Sequence, residues 1–397
     1  ALIVNGAPGT GKTYFCRDYL KWVLSNSSDR SSTSKAKLKW RYYTMNGHLA
    51  NHFDLLVEDF ADLDPDMKSD LNNTTGGSFA IGRLLRFINP EIKLDKKWSE
   101  EYGLGLLTFS VFKQLIRSYF SQKSVTFSGV KCPPLADAWL LYNEVIHDSI
   151  TGERIVDLDR NRFKELNTQS YRMNAKTIDW FLKFHKEVLS EYWWTYGYAS
   201  FDCRNKLNSL TSLRHEQYEI DILIVDEVQD ISPPVMALLL ELMRPGFSSH
   251  SIMIAGDMIQ TVNRSGFHWI DFSQKTAKSL QNSIHPDKWK LIDFGVFDNS
   301  ELATHRSTLK YVWRNGKKLV EFNNKMRKDF ASGFGIEELY SSNFDYPGGE
   351  LLISQASLDK DKDSKITVIE CDHSIAEYNK VLEELAESTK KLIGEDV

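Results

Sequence analysis

Residues 6–13 read GAPGTGKT and match the pattern G-x-x-x-x-G-K-[ST] in full. In such a loop the glycines let backbone N–H groups surround phosphate oxygens, and the N-terminus of a following helix adds positive potential. We therefore expect Lys12 to reach the terminal phosphates of a nucleotide and Thr13 to hold magnesium. The candidate nucleotide-binding residues are Gly6, Ala7, Pro8, Gly9, Thr10, Gly11, Lys12, Thr13 and Tyr14.

A second group of charged residues ends the stretch DILIVDEVQD, residues 221–230. The run from Ile222 to Val225 is continuously apolar, which is typical of a parallel strand covered on both faces. Asp226 and Glu227 follow at its carboxyl end, where ligands bind in open α/β sheets, so these carboxylates suggest a metal ligand and a general base. A turn that merely favours Asp is the alternative.

Another apolar run with a polar tip comes later in the chain. Residues 251–255 read SIMIA, and Gln260 lies just beyond them. A glutamine side chain both donates and accepts hydrogen bonds, so Gln260 at this edge can contact a terminal phosphate and respond to its hydrolysis.

The elements that must position these residues alternate between strands and helices. Residues 2–5 predict a short buried strand before the glycine loop, and residues 14–24 predict the helix after it. Residues 40–44 predict a second strand, and residues 49–60 predict a helix with apolar periodicity. Residues 62–100 lose periodicity and collect Asn, Gly and Pro, which predicts loops and a crossing between domains. This order indicates an α/β fold with a parallel sheet.

A helical segment interrupts that alternation. Apolar residues recur at three- and four-residue spacing over residues 109–120, 136–150 and 177–196, which predicts helices. Aromatic residues crowd the end of the segment, and we favour core packing over a base-stacking platform because no basic residue lies between Tyr192 and Tyr198. The crowded aromatic residues are Trp180, Phe181, Phe184, Tyr192, Trp193, Trp194, Tyr196 and Tyr198.

The composition is that of an ordinary globular protein and restricts the kinds of partner. The chain has 397 residues with 49 Lys and Arg against 54 Asp and Glu, a net charge of -5, so nucleic-acid contacts must come from local patches. Its four cysteines lack paired spacing, which argues against a zinc site or disulfides and indicates an intracellular location, in cytoplasm, nucleoid or nucleus. No apolar run is long enough for a membrane span, so we expect no membrane partner. The sequence starts inside a core strand without Met, which suggests a piece of a longer protein.

Several of these stretches resemble the motifs of one family. GAPGTGKT, IVDEVQD and AGDMIQTV, in this order and spacing, resemble motifs I, II and III of UvrD/Rep-type superfamily 1 DNA helicases. Residues 309–324, LKYVWRNGKKLVEFNN, are similar to motif IV, although Val312, Trp313 and Asn315 replace the usual Asn, Tyr and Ser. Residues 44–50 resemble motif Ia, which grips single-stranded DNA in that family.

The resemblance implies a role for each matching residue. It implies that Lys12 and Thr13 bind the phosphates and magnesium, and that Asp226 binds magnesium. It implies Glu227 as the base that activates water and Gln260 as a contact to water and γ-phosphate. It also implies that Arg314 acts as an arginine finger from a second motor domain, which makes hydrolysis depend on domain closure.

The resemblance also implies an architecture, a P-loop NTPase of RecA-like fold. Residues 1–85 and 200–292 are expected to form the first RecA-like domain, residues 86–199 a helical insertion, and residues 293–397 a partial second RecA-like domain. Motifs V and VI of the family are missing from the sequence. In place of the Tyr and Trp that usually follow motif III stand Asn263, Arg264 and Ser265, so the aromatic residues that stack on bases are not identified.

The function implied is an ATP hydrolase that couples turnover to movement on single-stranded DNA, with RNA open as a substrate. Its cofactors would be ATP and Mg²⁺, and no partner protein is indicated. The alternative is a nucleotide-gated binding or signalling module of P-loop fold that unwinds nothing. A P-loop kinase fits less well, because a carboxylate beside Asp226 favours hydrolysis over phosphate donation to a second substrate.

Overall fold

A computed structural model provides the structure of the chain. It describes residues 2–6, 9–26, 37–92, 105–123, 135, 138–139, 142, 175–189, 193–210, 216–244, 251–257, 269–281, 283, 286–292, 305–309, 311–312, 320–321, 324–325 and 353–354. The chain divides into two compact units, residues 1–310 and residues 311–397.

The first unit contains a six-stranded parallel sheet and the helices around it. Its strands are β1 (Leu2–Gly6), β2 (Leu38–Thr44), β3 (Thr74–Ala80), β6 (Ile222–Val225), β7 (Ile252–Gly256) and β8 (His305–Leu309), and a separate pair is formed by β4 (Gly105–Leu106) and β5 (Trp193–Trp194). Its α-helices are α1 (Lys12–Ser25), α2 (Gly47–Leu63), α3 (Pro65–Asn72), α4 (Ile81–Ile88), α5 (Phe109–Lys123), α6 (Ala175–Phe184), α7 (Tyr196–Asn208), α8 (Pro233–Glu241) and α9 (Trp269–Ser279). A π-helical turn spans His185–Leu189, and 3-10 turns span Val228–Asp230 and Pro286–Ile292.

The order of strands in the large sheet is β3-β2-β6-β7-β1-β8, and every pairing is parallel. Val225 pairs with Ile254, and Asn5 pairs with Gly256, so β6, β7 and β1 end at the same edge of the sheet. The expected α/β fold with a parallel sheet is confirmed, and this shared edge is where the charged strand tips meet.

Both faces of the sheet are buried, as the continuously apolar strands predicted. On one face, side chains of β2, β6 and β7 pack against α1 and α2, and the ring of Tyr42 stacks on Phe53 with centroids 3.9 Å apart. On the other face Ile3, Leu223 and Val225 are fully buried.

Within residues 62–92, the described part of the range 62–100, the chain does not form the loops that its composition predicted. The structure has α3, β3 and α4 between Pro65 and Ile88, and β3 is an edge strand that pairs with β2 along its length. The prediction relied on the average depletion of Gly and Asn in strands. Here the strand forms because β3 pairs with β2 and packs against Trp40.

The strand β3 depends on a glycine that leaves room for an indole. A Cβ added at Gly76 would lie 1.7 Å from Cε2 of Trp40, whose side chain is buried in the core. We expect Gly76→Ala to lower the free energy of unfolding by about 1 to 3 kcal/mol, because the ring cannot move without disturbing its neighbours. Chemical denaturation followed by fluorescence measures this change.

Gly47→Ala is the matched control for that prediction. Gly47 begins α2, and the nearest atom to an added Cβ is 3.9 Å away. Alanine also favours helix, so this variant should be as stable as the unsubstituted protein or slightly more stable. Equal denaturation midpoints for the two variants would show that Trp40 does not need the space above Gly76.

The helical segment has its own aromatic core. Trp180, Phe181 and Phe184 of α6 are buried against Phe112 and neighbouring residues of α5. The rings of Trp180 and Phe184 stack with centroids 5.7 Å apart. The prediction that these α6 aromatics form a core is confirmed, so they cannot offer faces to nucleic-acid bases.

A buried ion pair joins three helices near the sheet. The guanidinium of Arg204 on α7 donates to both carboxylate oxygens of Glu241 on α8, at 3.0 and 3.1 Å. It also donates to Oγ of Ser279 on α9 at 3.1 Å. The bidentate geometry compensates for the loss of water around both charges.

The second unit is described over a few residues only, with β9 (Tyr311–Val312) and β10 (Ile353–Ser354) pairing in parallel. The strand β8 pairs with β1 within the first unit, although its residues fall in the range 293–397 that was assigned to a second domain. The domain boundaries stay predictions. Among the described helices, none combines the length and the apolar character needed to cross a membrane.

Candidate functional site

The loop after β1 folds tightly over its first glycine. A Cβ on Gly6 would lie 2.6 Å from Oγ1 of Thr10 and 3.1 Å from Cγ of Lys12, so a side chain has no room there. Gly9 and Gly11 have φ angles of 76° and 86°, in the left-handed region that glycine adopts at little cost. The three glycines of the motif therefore each meet a steric need of the loop.

The helix α1 begins directly after this loop, and no side chain caps its N-terminus. The first N–H groups of a helix have no acceptor within the helix and carry the positive end of its dipole. The buried side chain of Lys12 adds a cation, and its ammonium donates to the carbonyl oxygen of Gly6 at 2.9 Å. Donors and positive charge thus converge on one small loop.

Asp226 lies at the tip of β6 and accepts hydrogen bonds from three donors. Its Oδ2 accepts from Oγ1 of Thr13 at 3.0 Å and from the hydroxyl of Tyr42 at 2.8 Å. Its Oδ1 accepts from the backbone N–H of Glu227 at 2.9 Å. The predicted pair of Thr13 and Asp226 is brought together from positions 213 residues apart.

Burial and the neighbouring charge of Glu227 raise the pKa of Asp226 above its ordinary value. The hydrogen bond from Tyr42, the charge of Lys12 and the hydrogen bond from Thr13 oppose that rise in pKa. Burial and the charge of Asp226 likewise raise the pKa of Tyr42, so its hydroxyl stays protonated and donates. Three donors thus hold the buried side chain of Asp226 in place at the tip of β6.

Glu227 has an unusual backbone conformation. Among the described residues it is the one non-glycine residue with positive φ, at φ 54° and ψ 45°. Its Oε2 accepts from Nε2 of Gln229 at 2.5 Å, and Oε1 of Gln229 accepts from the backbone N–H of Asp257 at 3.0 Å. Strained backbones of this kind cost about 1 to 3 kcal/mol and cluster at functional sites.

These residues fit a nucleotide with magnesium. The glycine loop has the small side chains, N–H donors and ammonium that phosphate oxygens need. The hydroxyl of Thr13 and the carboxylate of Asp226 are 3.0 Å apart, and Mg²⁺ is commonly bound by one or two such groups together with substrate phosphates. No cluster of three or more His, Cys, Asp or Glu side chains within the described residues offers a metal site made by protein alone.

The structure leaves part of the predicted site untested. Ala7, Pro8, Gln260 and Arg314 lie outside the described residues, so their roles stay predictions. Tyr14 is described and is 51% exposed on the first turn of α1, with the guanidinium of Arg17 5.3 Å from the centre of its ring.

One residue of the stretch that resembles motif Ia has an ordinary structural role. Asn46 caps α2, since its Oδ1 accepts from the backbone N–H of His48 at 2.9 Å. The side chain of His48 is exposed.

Sequence reasoning missed Tyr42 and Cys16 as neighbours of the site. Tyr42 was assigned only to a strand, yet its hydroxyl contacts Asp226. Cys16 is fully buried on α1, where burial and then Asp226 raise the pKa of its thiol, so it stays protonated. The available signal was the alternation of side chains along residues 38–44, which places Tyr42 on the same face as Trp40 but does not reveal its partner.

No protein-family model matches the chain, and no curated protein matches its sequence significantly. The geometry of the site is therefore the basis on which a function can be inferred.

Proposed function

We propose that this chain is the ATP-hydrolysing part of a motor that moves on single-stranded nucleic acid, with a P-loop NTPase core of RecA-like type. The observation that carries the proposal is that four residues come together at one edge of the sheet. Lys12 and Thr13 come from the start of α1, Asp226 and Glu227 come from the tip of β6, and the charges of Lys12 and Glu227 both act on Asp226. The resemblance to UvrD/Rep-type superfamily 1 helicases points to the same residues.

Each of the four side chains has a distinct role in this proposal. Lys12 binds the terminal phosphates through its ammonium, and Thr13 and Asp226 hold magnesium. Glu227 accepts a proton from the attacking water, since its carboxylate accepts from the amide of Gln229, whereas the carboxylate of Asp226 already accepts from two hydroxyls. Magnesium-bound ATP supplies the phosphoanhydride bond that is cleaved.

A surface for the nucleic acid is available on α4. Arg83, Arg86 and Phe87 are exposed there, and the ring of Phe87 meets Tyr218 edge to face with centroids 5.4 Å apart. Arginine beside exposed aromatic rings is the combination that binds single strands. The helix α4 follows β3 directly and so starts at the carboxyl edge of the sheet. Because the chain has a net charge of -5, contacts to nucleic acid require a local patch of positive charge, and the two arginines of α4 provide one.

ATP hydrolysis by the full-length protein, with and without single-stranded DNA or RNA, tests the proposal. We expect hydrolysis that requires magnesium and that one of the two single strands stimulates. The double variant Arg83→Ala/Arg86→Ala should lose most of the stimulation and keep basal turnover, whereas removal of two other cations, in Lys21→Ala/Lys68→Ala, should leave both unchanged.

The same measurements distinguish the proposed motor from the alternative, a nucleotide-gated binding module. Nucleotide binding without stimulation by either single strand would favour a nucleotide-gated binding module. Absence of nucleotide binding would reject both readings.

A further inference from the structure

A single buried carboxamide joins Glu227 to the end of β7. Gln229 is 1% exposed, and its side chain lies between the carboxylate of Glu227 and the backbone of Asp257, which is also buried. Both ends of the carboxamide are therefore engaged, one with a side chain on the tip of β6 and the other with the main chain after β7.

The chemistry of the partners determines which way the carboxamide points. A backbone N–H can only donate, so the atom of Gln229 that meets Asp257 must be Oε1. The NH₂ group then faces Glu227, and it can only donate to that carboxylate. The bond occupies Oε2 of Glu227 and leaves Oε1 without a protein partner among the described residues.

Close packing restricts the position of the Gln229 carboxamide. A Cβ on Gly256 would lie 2.7 Å from Oε1 of Gln229 and 2.7 Å from Cγ1 of Val228. The last residue of β7 must therefore be small for Gln229 to reach Asp257. Gly256 and Gln229 fit each other closely, and both are buried at this edge of the sheet.

Glu227 needs such a partner because its side chain is otherwise weakly restrained. Its backbone is held in the left-handed region, and three side-chain bonds separate the backbone from the carboxylate. A general base must lie within about 3 Å of the proton that it removes. A displacement of about 1 Å can cost on the order of 100-fold in rate, so an orienting hydrogen bond has a large effect.

We propose that Gln229 is a positioning residue: it holds the carboxylate of Glu227 in the orientation that accepts a proton, and it ties that orientation to the end of β7. The inference rests on the proposed function. In it Gln229 contacts neither nucleotide nor magnesium and acts only through Glu227.

Gln229→Met tests the inference, because methionine has a similar length and no hydrogen-bonding amide. We expect kcat for ATP hydrolysis to fall about 10- to 100-fold, while KM and nucleotide affinity stay within about twofold. In unliganded protein, hydrogen exchange at the Asp257 amide should become faster, because its acceptor is lost. Gln217→Met is the matched control, since Gln217 is exposed and should change neither readout.

A double-mutant cycle separates positioning from a general structural role. In a Glu227→Gln background, Gln229→Met should cause no further loss of turnover, because the group that it positions is already gone. An equal fall in both backgrounds would overturn the inference, and so would unchanged turnover or unchanged protection of the Asp257 amide.

Two further outcomes have defined meanings. If thermal melting shows that Gln229→Met does not fold, Gln229→Asn replaces it, because asparagine keeps the amide but is one methylene shorter and cannot reach both Glu227 and Asp257; the same fall in kcat and the same faster exchange are then expected. If the unsubstituted protein hydrolyses no ATP, the proposed function fails and the inference falls with it.

Discussion

Replacing Lys12 with alanine is expected to abolish measurable ATP hydrolysis and to weaken nucleotide binding on the order of 100- to 1000-fold. The ammonium is the one cation that the structure places in the glycine loop within the described residues, and its stem is buried there. Losing a charge-assisted contact of this kind costs about 3 to 4 kcal/mol of binding free energy. Titration with a fluorescent ATP analogue and a phosphate-release assay measure the two effects.

Two variants show whether the loss comes from the charge. Lys12→Met keeps most of the buried stem and should behave like Lys12→Ala in nucleotide binding. Lys21→Ala removes a cation from the same helix, where Lys21 pairs with Asp64 away from the loop, and should bind nucleotide normally. Normal binding by Lys12→Ala would exclude the loop as the phosphate site.

Replacing Glu227 with glutamine is expected to leave nucleotide binding intact and to lower the hydrolysis rate by about 10² to 10⁴-fold. Glutamine keeps the shape of the side chain and cannot accept the proton of the attacking water, and general base catalysis contributes about that factor. Asp226 still accepts from the backbone N–H of residue 227, so the carboxylate that we propose binds magnesium is not disturbed. Single-turnover hydrolysis together with equilibrium nucleotide binding measures both predictions.

The control for the second prediction is Glu58→Gln, which makes the same change at an exposed position on α2. It should hydrolyse ATP at the rate of the unsubstituted protein. Unchanged turnover in Glu227→Gln would remove Glu227 as the base, and weakened nucleotide binding in that variant would place it among the binding residues instead.

Local sequence was sufficient to predict the strand that ends at Asp226 and Glu227 and the glycine loop that ends at Lys12. A continuous apolar run can only be a covered strand or a buried helix, and its short length together with the polar residues after it decided for the strand at Ile222–Val225. The glycine pattern similarly predicted the loop before α1, since a left-handed backbone and close packing both require glycine there.

The strand β3 shows where local preference failed. Its sequence TTGGSFA has two glycines and no alternation of apolar residues. The strand forms because it pairs along its length with β2 and receives the indole of Trp40 over Gly76. Such an interaction with a residue 36 positions away has no signature in a local window.

The hydrogen-bond partners of the charged residues could not be predicted from local sequence either. Tyr42 and Asp226 are 184 residues apart, and their hydrogen bond arises from the adjacent positions of β2 and β6 in the sheet. The bond between Gln229 and Asp257 depends in the same way on β6 and β7 being neighbours.

The amino-acid sequence by itself determined which side chains stand at the strand tips and in the glycine loop, because those features follow from local composition and period. Only the tertiary structure decided that Thr13 and Tyr42 share one carboxylate and that Gln229 holds Glu227. The physical reason is that strand order and register set the distances between residues far apart in the chain, and packing, not local preference, selects that order.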